Sequence, residues 1–242
     1  MSAPDPTPTL LVLDTSTEHL HLGLLVRGRQ FTRRQPGGAQ ASATLLPALQ
    51  GLLEEAQIGW AELDAIGYGR GPGAFTGVRA ACAVTQGLAE ALGRPVLALD
   101  TLLAVADDAR AQGAGPSVRV VVDARMGEVY AAAYRDDEGA GWQVLDAPAL
   151  HDPAALALSI EPGVAVAGNS LLAHADAWQT FNGPRFADAV PRAEALLRLA
   201  LRQWQAGERR DATEALPLYV RDRVALTTVE RDAVRLAKVM PT

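Results

Sequence analysis

Asp14, Thr15 and Ser16 put one carboxylate and two hydroxyls at the end of the apolar run TLLVLD. That grouping suits a phosphate oxygen or a magnesium-bound water. Asp123 ends a second apolar run, VVVD, 109 residues later. Two aspartates facing one cleft could hold metal and nucleotide together. The same residue types also form plain turns at strand ends, where a short carboxylate bonds the backbone two residues on. Residues 67–79, GYGRGPGAFTGVR, are the third candidate. Backbone N–H groups around Gly71 and Gly73 could face an anion at the start of the following helix. The P-loop signature Gly-Lys-Ser/Thr is missing. Residues 69–74 satisfy G-x-G-x-x-A, but a dinucleotide fingerprint belongs at the first strand of a doubly wound sheet. Here a three-strand meander and a helix come first. A tight turn that lets the helix pack closely on the sheet explains the glycines equally well.

The remaining reactive side chains offer less. His19 and His21 are two apart and share one strand face, while His151 and His174 are isolated. Neither H-E-x-x-H nor G-x-S-x-G occurs, which argues against a zinc peptidase or a serine hydrolase. Cys82 is the sole cysteine, so no intrachain disulfide can form. Its mid-helix position points to burial.

These groups sit in a chain of 242 residues, 49% hydrophobic and 21% charged, long enough for one large domain or two small ones. Net charge is −6, with +3 on residues 185–242 and −9 on the first 184. An acidic surface argues against strong stand-alone binding to nucleic acid or anionic membrane. No run approaches the roughly 18 apolar residues of a membrane helix. The start MSAPDPTPT has no basic and no apolar segment of a signal peptide. A cytoplasmic protein is expected.

Strands are expected at 9–14, 20–26 and near 30–34. A helix follows whose leucines, Leu45, Leu46, Leu49, Leu52 and Leu53, recur at helical spacing. Pro47 suits only a first turn, which sets the start near Thr44 or Leu46. A strand at 63–68, a helix at 77–92 closed by Gly93 and Pro95, a strand at 96–99 and a helix at 101–112 complete the first half. Residues 120–134 align with 11–25, and 164–170 with 65–71, so a second copy follows. Its third strand is expected at 143–145, a short helix at 152–158 and a longer one at 192–205. The expected fold is α/β, with two tandem ribonuclease-H-like, actin-like subdomains of mixed sheets flanked by helices. The boundary should fall near 112–116. That gives a first subdomain at 1–112 and a second at 113–242, with the last helix and tail free to pack back on the first.

LDTST, YGRGPGAFTGVR, QGLAEALGRPVLALDTL, VDARMGEVYAAAY and ALPLYVRDRV, in this order over about 9–223, closely resemble the TsaB family. Its members are also described as inactive, glycoprotease-like paralogues. The resemblance implies a non-catalytic scaffold subunit of the bacterial machinery that makes threonylcarbamoyladenosine beside the tRNA anticodon. Its implied partners are TsaD, the catalytic paralogue, and TsaE, with tRNA met mainly through the complex. A homodimer through the same surface is implied when TsaD is absent. In TsaD a histidine pair after the glycine-loop helix and strand binds metal, and here Thr101 and Val105 stand at those positions. The histidine that relatives often carry ahead of the Leu-Pro of the first long helix is missing from 40–46. No cofactor is expected for the isolated chain, and ATP with magnesium has a place only at the partner interface. The partner surface is expected on the first two long helices, at Leu45, Leu46, Leu49, Leu52, Leu53, Val78, Ala81, Cys82, Thr85 and Leu88. Asp14, Thr15, Ser16, Gly71, Gly73 and Asp123 remain the minority nucleotide site. The competing reading is a stand-alone ATPase or sugar-kinase-like enzyme of the same superfamily.

Overall fold

The computed structural model describes residues 7–38, 41–137 and 141–221. Two five-stranded mixed sheets form its framework. The first comprises β1 (Leu10–Asp14), β2 (His19–Val26), β3 (Arg29–Pro36), β4 (Ala65–Gly69) and β5 (Val96–Leu99). Its order is β3-β2-β1-β4-β5, antiparallel through the meander and parallel from β1 onward. The second comprises β6 (Ser117–Asp123), β7 (Val129–Asp137), β8 (Gly141–His151), β9 (Ala165–Ala167) and β10 (Arg185–Phe186). Its order is β10-β9-β6-β7-β8. Read from the meander edge, the two sheets have the same topology. The weak repeat at an offset of 109 is therefore structural: Asp14 and Asp123 each end the first strand of their sheet.

The helices are α1 (Ala41–Ala56), α2 (Phe75–Leu92), α3 (Thr101–Ala111), α4 (Pro153–Ser159), α5 (Ser170–Ala173) and α6 (Ala193–Ala206). Helix α1 starts earlier than Pro47 suggested, and Pro47 lies in its interior. Ala43, whose carbonyl loses its i+4 donor to the proline ring, is exposed, as is Pro47. Water can therefore serve that carbonyl, and the usual cost of an interior proline falls. Helix α2 ends where expected, at Gly93 in the left-handed region with φ 62°. Strand β8 is much longer than the three residues expected, because register irregularities against β7 break its alternation.

Helices α1 and α2 cover one face of the first sheet. Leu45, Leu49, Leu52 and Leu53 pack there with Leu20, Leu22 and Leu24 of β2. The other face is covered by α6, through Leu196, Leu197 and Ala200 on Leu10, Val12 and Leu25. Helix α3 leaves its own sheet and packs Leu102, Val105 and Ala106 on Val118 and Val120 of β6. Each half thus lends a helix to the other. Where α3 and α6 meet, Arg198 pairs with Asp107 at 2.7 Å and Arg192 with Asp108 at 2.9 Å. Both carboxylates are buried, and Asp108 also accepts from the Val190 N–H at 3.1 Å. Burial pushes the Asp108 carboxyl above the ordinary carboxylate range, against the pull of these donors.

Candidate functional site

Asp14 is wholly buried. Its Oδ1 accepts from the Ser16 N–H at 2.7 Å and the Ser16 hydroxyl at 2.6 Å. Its Oδ2 accepts from the Thr101 hydroxyl at 2.7 Å. That hydroxyl in turn accepts from the Gly71 N–H at 3.0 Å. Burial raises the pKa of Asp14 above 3.8, while the Ser16 and Thr101 hydrogen bonds pull it back. The carboxylate is fully engaged by protein, so it does not fit as a metal or nucleotide ligand.

The glycine loop explains itself by proximity. A side chain at Gly69 would put its Cβ 1.8 Å from Asp14 Oδ2, one at Gly77 1.9 Å from the Thr15 carbonyl, and one at Gly73 2.6 Å from Ser16 Cβ. The Thr15 hydroxyl donates to the Gly77 carbonyl, and the Ala74 N–H donates to the Ser16 carbonyl at 2.8 Å. The loop's bare backbone presses onto the Asp14–Ser16 turn, and its Arg70, Gly71 and Ala74 N–H groups donate within the protein.

Between the halves lies a cleft of about 420 Å³. Ser16, Gly73, Asp123, Asn169, Arg125 and Arg221 are among its walls. Asp14, Thr15 and Gly71 are not. The two strand-end aspartates therefore do not face one cleft, and of the two readings left open for Asp14, Thr15 and Ser16 the geometry is that of the strand-end turn. Asp14 is turned inward to Thr101, and Asp123 alone reaches the cleft. Asp123 Oδ1 lies 3.0 Å from His174 Nε2 and accepts from the Arg125 N–H at 3.0 Å. Its own N–H donates to Asn169 Oδ1 at 2.9 Å. His174 was isolated in sequence, and only the fold brings it to Asp123. Among the described residues, no cluster of three or more His, Cys, Asp and Glu side chains could hold a metal ion.

Residues 218–221, within the ALPLYVRDRV stretch, line one side of the cleft. The Leu218 N–H donates to the Arg70 carbonyl at 2.7 Å, and Tyr68 OH donates to the Leu216 carbonyl at 3.3 Å. Arg221 crosses to the second sheet, pairing with Glu128 at 2.8 Å and donating to the Ala124 carbonyl at 3.1 Å. Arg79 stacks on Phe75 at 3.7 Å and donates to Tyr219 OH at 2.8 Å. The one free thiol among the described residues, Cys82, is buried, and desolvation pushes its pKa up to about 11. It is no nucleophile near neutral pH.

The expected partner surface needs correction. Leu45, Leu49, Leu52, Leu53, Val78, Ala81, Cys82 and Thr85 are buried against the protein's own first sheet, and Leu88 is half-buried. Helical spacing found a true apolar stripe, but the stripe is claimed by β2 and its neighbours. Of the ten, only Leu46 is exposed, at 45%. The outward face of α2 instead carries Arg79, Ala83, Gln86, Gly87 and Glu90. No helix among the described residues is long and apolar enough to cross a membrane.

The chain matches the family model described as "TsaD: tRNA N6-adenosine threonylcarbamoyltransferase" over residues 36–225. It is 28% identical over 225 residues to the tRNA threonylcarbamoyladenosine biosynthesis protein TsaB of Escherichia coli, covering 89% of this chain and 96% of that protein. The protein of the same name from Haemophilus influenzae is 38% identical over 122 residues, covering 50% of this chain and 52% of the relative. The solved structure of YeaZ from Pseudomonas aeruginosa superimposes with a TM-score of 0.80 at 40% identity, over 88% of this chain and 99% of that one. With the duplicated mixed sheets and the glycine turn already in place, the chain belongs to the TsaB family.

Proposed function

We propose that this protein is a non-catalytic subunit of the machinery that makes N6-threonylcarbamoyladenosine on tRNA. In this reading it binds and supports TsaD, helps recruit TsaE and meets tRNA through the complex. The relatives' names support the pathway. The observation that carries the non-catalytic role is the Thr101–Asp14 hydrogen bond. Thr101 stands where a metal-binding histidine is expected in the catalytic paralogue, and it serves only to tie a buried carboxylate to the glycine turn. Val105, at the second such position, is core. The interface is proposed on the outward faces of α1 and α2, around Leu46, Ala83, Gln86 and Gly87. Small residues there allow a partner helix to approach within 8–10 Å. The same face serves a homodimer when TsaD is absent. ATP and magnesium find a place only where a partner completes the site.

Co-expression with TsaD tests this. A co-purifying complex is expected, and Gly87→Arg should abolish it while leaving the subunit folded by circular dichroism. A complex that survives Ala83→Arg and Gly87→Arg sinks the proposed face. Threonylcarbamoyl transfer to tRNA by the purified chain alone sinks the non-catalytic reading. Calorimetry of the isolated chain with ATP and magnesium should show no binding heat.

A further inference from the structure

Arg70 leaves β4 towards a second cavity of about 580 Å³, which shares no lining residue with the inter-sheet cleft. Each other half-buried arginine among the described residues donates to a carboxylate or a carbonyl, as Arg110 does to Asp136 and Arg94 to the Ala61 carbonyl. The Arg70 side chain has no hydrogen-bond or ion-pair partner among the described residues, and its Nε is sealed from water. The carboxylate whose field it feels, Asp100, is occupied by Tyr134 OH at 2.9 Å and by the Leu102 and Leu103 N–H groups.

Two further unpartnered polar atoms belong to the same walls, Trp142 Nε1 and Gln203 Oε1. The Gln203 amide donates Nε2 to the Ala98 carbonyl at 3.1 Å, which assigns its oxygen to the orphaned side. Buried polar groups without partners are uncommon and destabilising. The three residues that carry them line one cavity together with Leu99, Leu103 and Leu199. Its volume falls in the range of about 300–1,000 Å³ usual for small-molecule sites.

The wall charges narrow the ligand. Arg70 and Arg202 line it together with Asp100, Asp136, Asp137 and Glu208, of which Asp136 is held by Arg110. A dianionic phosphate would meet a net negative rim, and a plain cation would leave Arg70 unpaired. A molecule with one carboxylate and one ammonium answers both. We propose that this cavity binds a free α-amino acid with an apolar side chain. Its carboxylate lies on Arg70 and Trp142, its ammonium on the Gln203 carbonyl and the acidic rim, and its side chain on the leucines. Arg70, Trp142 and Gln203 turn slightly outward to receive it.

The Trp142 indole N–H gives a direct readout by proton–nitrogen NMR, assigned by its loss in Trp142→Phe. L-Valine is titrated beside its deaminated and decarboxylated counterparts, isovalerate and isobutylamine. The expected result is a saturable shift with valine, with each counterpart at least about tenfold weaker, the worth of one hydrogen bond to a charged group. Arg70→Leu should weaken valine by about tenfold or more, with Arg70→Lys in between because it keeps the charge and loses the planar fork. Gln203→Leu should narrow the gap between valine and isovalerate, and it covers the case in which Arg70→Leu does not fold. No saturable shift with valine, equal potency of isovalerate, or an unchanged response in the Arg70 variants overturns the proposal.

Discussion

The Thr101 hydroxyl lies 2.7 Å from Asp14 Oδ2 and 3.0 Å from the Gly71 nitrogen, so one side chain joins the first strand, the glycine turn and the start of α3. Three segments that could have framed a ligand are bonded to one another.

Removing that hydroxyl should cost stability rather than chemistry. Thr101→Val keeps the shape but strips one donor from the buried Asp14 and one acceptor from Gly71. Loss of a buried hydrogen bond of this kind costs about 1–3 kcal/mol. Urea unfolding should show the midpoint fall with an unchanged slope.

Acid should weaken the fold through His21. Burial, and then the charges of Arg34, His19 and Arg192, lower its pKa to about 3. The folded state therefore holds the ring neutral while the unfolded chain protonates near 6.5. The stability this confers is complete above pH 6.5 and is lost as pH falls from there towards 3, at up to about 1.4 kcal/mol per pH unit. Asp14, whose pKa burial raises above 3.8, opposes this, since its effect favours the fold as pH falls towards 3.8. Urea midpoints measured across this range should flatten in His21→Leu and steepen in Asp14→Asn.

Two kinds of glycine should separate cleanly. Gly77→Ala drives a methyl to within 1.9 Å of the Thr15 carbonyl, and a backbone atom cannot step aside. A loss above about 3 kcal/mol, or failure to fold, is expected. Gly87→Ala meets nothing within 4 Å in the same helix and should gain about 0.5–1 kcal/mol. Thermal melts of the two variants check this.

The leucines of α1 divide in the same way. Leu49→Ala empties a fully buried position and should cost about 2–5 kcal/mol. Leu46→Ala, three residues earlier on the exposed side of the helix, should stay within about 0.5 kcal/mol in the isolated subunit. Equal losses at both positions would mean that α1 is rotated from the orientation described.

Much of this was legible beforehand. Alternation in β2, the Gly93 stop and the alignment of Asp123 with Asp14 reveal the duplicated sheet without coordinates. The aspartates' surroundings were not legible, because periodicity says nothing about what a strand end meets. Thr101 reaches Asp14 across 87 residues, and His174 reaches Asp123 across 51. The leucine stripe of α1 shows the opposite limit. Spacing reveals that one face wants cover, but not whether a sheet of the same chain or another subunit supplies it. Arg70 sits inside the motif most easily noticed, yet only the fold shows its guanidinium unpaired.

The exchange of α3 and α6 has a practical consequence. A cut at 112–116 leaves the first fragment without α6, the helix that roofs one face of its sheet, while it carries off α3, which the second sheet needs. The two pieces are expected to be insoluble apart and to complement one another when co-expressed, like the halves of a split reporter. A duplication locked together in this way no longer divides into two self-sufficient subdomains.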